Sequence, residues 1–409
     1  GAPGTSGAQP TTGPGGVPAA PSTPLKVGVY YASGVNEAAE ALGLGALSVG
    51  DTKAQATALA DDINANGGLA GRKIQLFFAD ASQYGSDANA AYEGACRRLV
   101  EDDDVDLLVT FAGMSIGNFE CFVKAGVGVV NDISNIPDDI QAQWANLMGA
   151  PGDLAAHRLM GTLVDYLWST KWLTKDSTIG VYTYDDAANS ATVDGPLKAA
   201  LAKYGLKVKT TVAVTAQNAV SQGGSVVLRF ASDGVDRVLP VGASPLFVMN
   251  AAESQGYRPD YALYSSYGPG ALLESSAPKA QLEGAAGVGW APFYDIGKGK
   301  RPGPVSSQET RCFSVMEKAG QGTTSNTTKA LQATMCNMFF YLEQAADKIG
   351  SAPDNLLALA RPALRNTFVS PSTFKVDVTN RVDGVAAFRP LTFESGCSCF
   401  QYGELRAAN

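Results

Sequence analysis

The sequence has little of what many enzymes use for acid–base chemistry, because its 409 residues include one histidine, His157. A Ser–His–Asp triad would have to use that single side chain. The metalloprotease pattern H-E-x-x-H and the phosphate-binding pattern G-x-x-x-x-G-K-[ST] do not occur. A run of about 18 apolar residues is also missing, which argues against a membrane-spanning helix. The sequence therefore predicts neither an enzyme nor a bound cofactor or metal.

Positive charge is scarce too: 31 lysines and arginines stand against 39 aspartates and glutamates, a formal net charge of -8. An acidic surface repels nucleic-acid phosphates and anionic lipid headgroups, so we expect neither as a partner. Residues 1–24 carry no charge and consist mainly of Gly, Pro, Ala, Ser and Thr, which predicts a disordered tether. A lipid anchor upstream of residue 1 is a hypothesis, and it is the one membrane contact that we expect.

From Leu25 onward, short β-rich segments alternate with helical patterns. A strand is predicted at 25–31 and a helix at 51–64, with Asp51 as its cap and Asn66-Gly67-Gly68 as its stop. Further strands and helices are predicted at 73–78, 86–100, 106–110, 117–124 and 128–130. Strands and helices that alternate at this spacing form right-handed βαβ units around a parallel sheet.

The same alternation begins again after residue 151. Helices are predicted at about 154–169, 193–204, 219–232 and 245–255, strands at 178–182, 207–214, 236–241 and 261–265, and two long helices near 308–319 and 328–348. We therefore expect an α/β protein of two similar halves. Ligands of open parallel sheets bind at the carboxyl ends of the strands, so loops such as Gly242–Ser244 should line a cleft between the halves.

Six cysteines are present, an even number that is typical of disulfides in an oxidising compartment. Cys96 and Cys121 fall on consecutive predicted helices, as do Cys312 and Cys336, so that each pair could be bridged. Cys397 and Cys399 would then pair across a single residue. Crossed pairing, a zinc site and free buried cysteines stay open as alternatives.

Residues 62–74, with the sequence DINANGGLAGRKI, resemble a helix-to-strand signature of the type I periplasmic binding proteins. The similarity is to the leucine/isoleucine/valine-binding branch, which serves ABC transporters. The Gly50-Asp51 loop, Asp80 after the second strand and Ser115 after the third are also similar, and the resemblance covers about residues 25–395. It implies two similar lobes, each a parallel sheet flanked by helices, joined by a three-strand hinge.

The resemblance also implies boundaries for the two lobes. Lobe one would comprise residues 25–150 and 285–380, and lobe two residues 151–284 and 381–409. Closure about the hinge between them would trap the ligand.

The resemblance further implies where ligand contacts lie. Family members use hydroxyl and backbone groups after the third and fourth strands, an aromatic residue in lobe two, and an acidic residue that holds an ammonium group. The acidic position is Tyr267 in this sequence, and a buried ammonium without a carboxylate is poorly stabilised, although Asp185 or Asp186 could replace it. The predicted ligand contacts are Tyr31, Ser115, Ile133, Asn135, Tyr184, Ala188, Ser244 and Tyr267.

The predicted function is that of an extracytoplasmic solute-binding protein that closes on a small molecule and delivers it to an ABC transporter permease. The ligand is expected to be amino-acid-like, or a neutral or anionic compound with an apolar or aromatic part. Such a part could stack on Tyr31, Tyr184, Tyr267 or Trp290. The alternatives are a ligand-sensing protein of a signalling system and, with less support, a hydrolase that uses carboxylate pairs.

Overall fold

The computed structural model describes residues 23–34, 36, 49–84, 88–111, 116–131, 144–215, 218–275, 277–296, 301–322, 325–379 and 383–408. Of the predicted tether, this range includes only Thr23 and Pro24, whose carbonyl oxygens accept hydrogen bonds from the buried Arg72. Within the described part of the chain, no helix is both long enough and apolar enough to cross a membrane.

Five parallel strands from the first third of the chain form one sheet. They are β1 (Leu25–Tyr31), β2 (Ile74–Asp80), β3 (Leu107–Thr110), β4 (Gly128–Val130) and β5 (Leu147–Met148). Their spatial order is β2-β1-β3-β4-β5, and the register of the first pair runs from Leu25 opposite Ile74 to Tyr31 opposite Asp80. Apolar clusters cover both faces of this sheet, which explains why β3 and β4 are buried at every position.

The helices between these strands follow local sequence signals. They are α1 (Thr52–Ala65), α2 (Ala88–Cys96) and α3 (Ile116–Lys124). Asp51 caps α1 by accepting a hydrogen bond from the N–H of Ala54, and Leu59 and Ile63 of the same helix are fully buried. Gly68 follows α1 with φ 77°, and a Cβ there would lie 2.5 Å from the carbonyl oxygen of Arg72. The helix predicted at 51–64 is therefore confirmed to within one residue.

The second sheet is larger and has an edge that the sequence did not predict. Its strands are β6 (Ile179–Tyr184), β7 (Val208–Val214), β8 (Arg237–Val241), β9 (Asp260–Tyr264), β10 (Ala286–Gly289), β11 (Ala387–Glu394), β12 (Cys399–Tyr402) and β13 (Arg406–Ala407). The order is β12-β11-β10-β9-β8-β6-β7, with β13 also paired to β11. Strands β6 to β10 are parallel, whereas β11, β12 and β13 are antiparallel to their partners.

The helices around this sheet lie mainly where the sequence predicts them. They are α4 (Ala156–Ser169), α5 (Ala187–Thr192), α6 (Lys198–Ala202), α7 (Ala219–Ser232), α8 (Leu246–Ser254), α9 (Pro269–Glu274), α10 (Lys279–Leu282) and α11 (Pro292–Asp295). The predicted start at residue 193 is wrong, because α5 begins at Ala187, where Asp186 accepts a hydrogen bond from the N–H of Asn189. A π-helical turn, Val193–Leu197, joins α5 to α6.

The last three helices pack against the first sheet. They are α12 (Ser307–Lys318), α13 (Asn326–Ile349) and α14 (Leu356–Leu364). Arg311 of α12 forms ion pairs with Asp62 of α1 and with Glu343 of α13. We refer to the first sheet with its helices, including these three, as the first lobe, and to the second sheet with its helices as the second lobe.

The chain crosses between the lobes three times, from β5 to α4, from β10 to α12, and from α14 to β11. The first and third crossings touch: Ala150 pairs with Asp383, and a Cβ on Gly384 would lie 1.8 Å from the carbonyl oxygen of Pro151. The lobe boundary expected at residue 285 is wrong for β10. That strand pairs with β9 and β11, so it belongs to the second lobe.

The six cysteines form the three disulfides that their positions suggested. Cys96–Cys121 joins α2 to α3, Cys312–Cys336 joins α12 to α13, and Cys397–Cys399 closes the turn between β11 and β12. The Cα atoms of the second pair are 5.9 Å apart, which is in the ordinary range for a disulfide. The structure therefore excludes the three alternatives, which were crossed pairing, a zinc site and free buried cysteines.

Candidate functional site

A cavity of about 430 Å³ lies between the two lobes. The carboxyl ends of β4, β8, β9 and β10 open onto it, and α13 and the first crossing complete its walls. This is the place where open parallel sheets bind ligands, and the volume is within the roughly 300–1,000 Å³ that is typical of small-molecule sites. The cavity is therefore the candidate ligand site.

The wall from the second lobe contains a pair of tyrosines at the end of β9. The Tyr264 and Tyr267 rings are 4.2 Å apart and their phenol groups are hydrogen-bonded to each other. Burial raises the pKa of both phenols above the ordinary value, so both remain protonated at neutral pH. The described residues of this wall are Ala156, Leu159, Met160, Asn189, Thr192, Val241, Gly242, Ser244, Tyr264, Ser265, Ser266, Tyr267, Trp290, Ala291, Phe293 and Tyr294.

Ser244 lines the cavity after β8, whereas Tyr184, whose phenol accepts a hydrogen bond from the N–H of Ser244, is not among the described lining residues. Burial raises the pKa of Tyr184, and the opposing effect of a hydrogen bond from the backbone N–H of Ser244 is smaller. Asn189 also lines the cavity, held by Asp186, which accepts hydrogen bonds from its N–H at 2.8 Å and its Nδ2 at 2.6 Å. A Cβ on Gly242 would lie 1.7 Å from Oδ1 of Asn189, so glycine at this position lets the amide reach the wall.

A buried hydrogen-bond network supports the loops after β9 and β10. Ser265 donates to Oδ2 of Asp295 at 2.8 Å and accepts from the N–H of Trp290 at 2.7 Å. Asp295 also accepts hydrogen bonds from the N–H of Ala291 at 3.1 Å and from the phenol of Tyr402. Despite these bonds, burial raises the pKa of Asp295 from the ordinary value of 3.8 to about 7. The network ties the ends of three strands together behind the cavity.

The shifted pKa of Asp295 predicts a pH-dependent stability. Because its pKa is higher in the folded than in the unfolded protein, the folded state binds more protons between pH 4 and pH 7. The free energy of unfolding should therefore fall as the pH rises through that window. Urea denaturation of wild type and Asp295→Asn at several pH values measures the effect, and the variant should show a flatter profile. Asp185→Asn, which changes an exposed carboxylate, is the control and should keep the wild-type profile. If the free energy of unfolding had the same slope against pH in wild type and in Asp295→Asn, the prediction would be contradicted.

The wall from the first lobe is formed largely by α13. Ala330, Thr334 and Asn337 recur at helical spacing and so present one face of this helix to the cavity. Ser370 donates to Oδ1 of Asn337 at 2.7 Å, and Nδ2 of the same amide is hydrogen-bonded to Ser372. The remaining described residues of this wall are Asn131, Leu331, Met338 and Ser372. Asn131 directly follows a predicted strand, so a position at the cleft was expected for it. The other residues of this wall were not predicted, and the only signal of those on α13 is the placement of Thr and Asn within a long apolar helix.

The first crossing forms the floor between the two walls. It contributes Ala150, Pro151, Gly152, Asp153 and Leu154. The crossing passes close to α13, since a Cβ on Gly152 would lie 2.2 Å from Nδ2 of Asn337. Any change in the angle between the lobes would therefore alter the shape of the cavity directly.

The other predicted contacts are placed differently or fall outside the described residues. Tyr31 packs edge-on against Phe78, and Ala188 lies within α5. Neither residue is among the described lining residues of the cavity. The neighbouring Asn189 lines it instead. Ser115, Ile133 and Asn135 lie outside the described residues, and their roles in binding stay predictions.

Features that would point to catalysis or metal binding are weak. Residues 113–117 have the spacing G-x-S-x-G of a hydrolase nucleophile, with Ser115 at the centre. A triad also needs a histidine, and His157 is exposed at the start of α4. Across the described ranges, no group of His, Cys, Asp and Glu side chains could hold a metal ion.

Comparison with known proteins places the chain in a family. The family described as periplasmic binding protein matches residues 31–374. No curated protein sequence matches the chain. The branched-chain amino acid substrate-binding protein LivJ from Streptococcus pneumoniae, in complex with isoleucine, has 14% identity and a TM-score of 0.62, with 94% of this chain and 99% of that chain covered.

Two further solved structures have the same fold. A substrate-binding periplasmic protein from Ralstonia solanacearum has 18% identity and a TM-score of 0.67, with 93% of this chain and 100% of that chain covered. A solute-binding protein of an ABC transporter from R. palustris, in complex with 4-hydroxybenzoate, has 12% identity and a TM-score of 0.66, with 94% and 98% covered.

These findings confirm the predicted fold and class. The similar structures establish the two-lobed α/β fold, and the family match covers most of the chain. The family consists of extracytoplasmic binding proteins rather than enzymes, in agreement with the prediction from sequence. The chain belongs to the periplasmic binding protein family, and its fold is the type I fold of solute-binding proteins such as LivJ and LivK.

Proposed function

We propose that this protein delivers a small molecule with an apolar or aromatic part to an ABC importer, by closing its two lobes around it. The cavity of about 430 Å³ carries the proposal, because both lobes and the crossing between them line it. A ligand there would contact α13 on one side and the loops after β8, β9 and β10 on the other. Ligand binding would therefore favour the closed arrangement of the lobes.

The chemistry of the walls supports a ligand with an apolar or aromatic part. The partly exposed rings of Tyr267, Phe293 and Tyr294 offer aromatic faces, and the hydroxyl of Thr334 offers a hydrogen bond. Similar structures hold isoleucine and 4-hydroxybenzoate, which shows that this fold accepts both aliphatic and aromatic ligands. Those structures also belong to ABC transporters, which supports a permease as the partner. Attachment through a lipid anchor stays a prediction.

A contact between the lobes away from the crossings supports closure. Glu274, at the end of α9 in the second lobe, accepts hydrogen bonds from the hydroxyl of Thr327 at 2.9 Å and from its N–H at 3.4 Å. Thr327 lies in the first turn of α13 in the first lobe, where the helix dipole favours a carboxylate. This contact requires the lobes to be close together. The contact supports the proposal that the present arrangement of the two lobes is the closed one. Opening would then move each lobe as a rigid body.

A thermal-shift screen of amines, amino acids, aromatic acids and neutral aromatics tests the proposed function. A ligand that binds the folded state raises the melting temperature by mass action. Ser266→Trp should abolish the shift, because Ser266 is exposed yet lines the cavity, so an indole there occupies ligand space without disturbing a core. Ser232→Trp, at an exposed position of α7 outside the cavity, is the control and should bind normally. A full shift in Ser266→Trp would show that the ligand binds elsewhere.

A further inference from the structure

The cavity has one formal charge among its described lining residues, the carboxylate of Asp153. The other described lining residues are apolar or aromatic, or bear hydroxyl or amide groups. A carboxylate among such walls acts more strongly on a ligand than one in water, because less solvent screens it. The lining therefore favours a positively charged group in the ligand and disfavours a second anion.

The position of Asp153 is fixed by its backbone. Its N–H donates to the carbonyl oxygen of Ala150 at 3.2 Å, and its own carbonyl oxygen accepts from the N–H of Val385 at 3.0 Å. These bonds join the first crossing to the third, so the residue belongs to the segment that both lobes share. A carboxylate has two oxygens with about four acceptor sites, so the group can bind a ligand in addition to its contacts within the protein.

Aromatic rings line the same cavity. Tyr267 and Trp290 follow β9 and β10, and Phe293 and Tyr294 lie in the short helix α11. The face of an aromatic ring attracts a cation within about 6 Å of its centre. A carboxylate together with several aromatic faces is the combination by which proteins recognise organic ammonium groups.

Two arginines next to lining residues, Arg158 and Arg301, are each paired with a carboxylate. Arg158, beside the crossing, is paired with the buried Asp383. Arg301 is paired with Glu309, and its guanidinium stacks over Phe293, 5.3 Å from the ring centre. Arg301 is not among the described lining residues of the cavity.

We propose that the ligand is a small organic amine, bound as a cation with its ammonium group against the carboxylate of Asp153. This inference rests on the proposed solute-binding function and specifies the charge of the ligand. It differs from the expectation of a neutral or anionic ligand, because the sequence did not place Asp153 in the cleft. A carboxylate on the ligand would have no cationic partner among the described lining residues.

Calorimetric titration with two sets of probes tests this inference. Tyramine, tyrosine and 4-hydroxyphenylacetate share a phenol ring and carry an ammonium, both charges and a carboxylate, respectively. The compounds 3-methylbutylamine, leucine and 4-methylpentanoate form the matching aliphatic set. In at least one set, the amine should bind at least ten-fold more tightly than its two relatives. Asp153→Asn should weaken the binding of that amine at least ten-fold, whereas Asp185→Asn, an exposed carboxylate outside the cavity lining, should not.

Three results would overturn the inference: tighter binding of the acid or zwitterion in both sets, no binding by either amine, or an unchanged affinity of Asp153→Asn for the amine. The comparison of charges in the wild-type protein stands even if Asp153→Asn folds poorly. The screen described above separates the two proposals. An acid or neutral ligand that gives a shift in wild type but not in Ser266→Trp would reject the amine and retain the solute-binding function, whereas no shift from any compound would reject both.

Discussion

Replacement of Asp383 by alanine should lower the free energy of unfolding by about 3–5 kcal/mol, the range for breaking a buried ion pair. Asp383 is 1% exposed. Its Oδ2 accepts hydrogen bonds from Nη1 of Arg158 at 2.5 Å and from the N–H of Ala155 at 2.7 Å. The substitution removes the carboxylate partner of a buried guanidinium and an acceptor at the start of α4. Because Asp383 lies on the third crossing and Ala155 on the first, the loss should also loosen the connection between the lobes.

Urea denaturation of Asp383→Ala and Asp194→Ala measures this difference. Asp194 forms a 2.6 Å ion pair with Lys198, but both side chains are more than half exposed. Solvent screens such pairs, so the control should lose less than about 1 kcal/mol. Equal losses in the two variants would mean that the buried pair at the crossings contributes no more than a surface pair.

The second large effect is expected for Trp290→Ala, which should lower both stability and ligand affinity. The side chain is 1% exposed, packs in the core of the second lobe and lines the cavity. Truncation of a buried tryptophan typically costs about 3–5 kcal/mol, because it removes apolar contacts and leaves a void. Because the indole is part of the cavity wall, its loss should also weaken binding of the ligand found in the screen by about ten-fold, as expected for a contact worth roughly 1.4 kcal/mol.

Trp172→Ala is the matched control for this variant. Trp172 is half-buried, its indole N–H donates to the carbonyl oxygen of Gly284 at 2.7 Å, and its ring stacks against Arg237. It is not among the described lining residues of the cavity. Its loss should cost less stability and leave ligand affinity unchanged. Calorimetric titration below the melting temperature of each variant separates the two effects. Full ligand affinity in folded Trp290→Ala would contradict the placement of the ligand against this ring.

Much of the fold could be predicted from the sequence, because its signals are local. The cap at Asp51, the apolar stripe through Leu59 and Ile63 and the stop at Gly68 lie within one helix and its flanks. The parallel strands follow from their spacing with such helices, and the position of the cleft follows from the carboxyl ends of those strands. Tyr267 and Ser244 were found in this way, and both line the cavity.

The remaining features depend on contacts between distant parts of the chain. β10 was assigned to the wrong lobe, and the antiparallel pairing of β11 with β10 joins residues about one hundred positions apart, which no local pattern reveals. Thr334 and Asn337 belong to the cavity only because α13 faces the other lobe. Asp153 follows a two-residue strand, β5, that was not predicted, so it resembles an ordinary loop residue until the crossings are in place. Sequence reasoning therefore located the cleft but found only part of its lining.

A crystal structure with the compound that gives the largest thermal shift tests the central claim most directly. The account predicts one molecule of that compound in the cavity, in contact with Trp290 from the second lobe and with Thr334 from the first. A structure in which the compound is bound at the surface of a single lobe, with the space between the lobes empty, would contradict it.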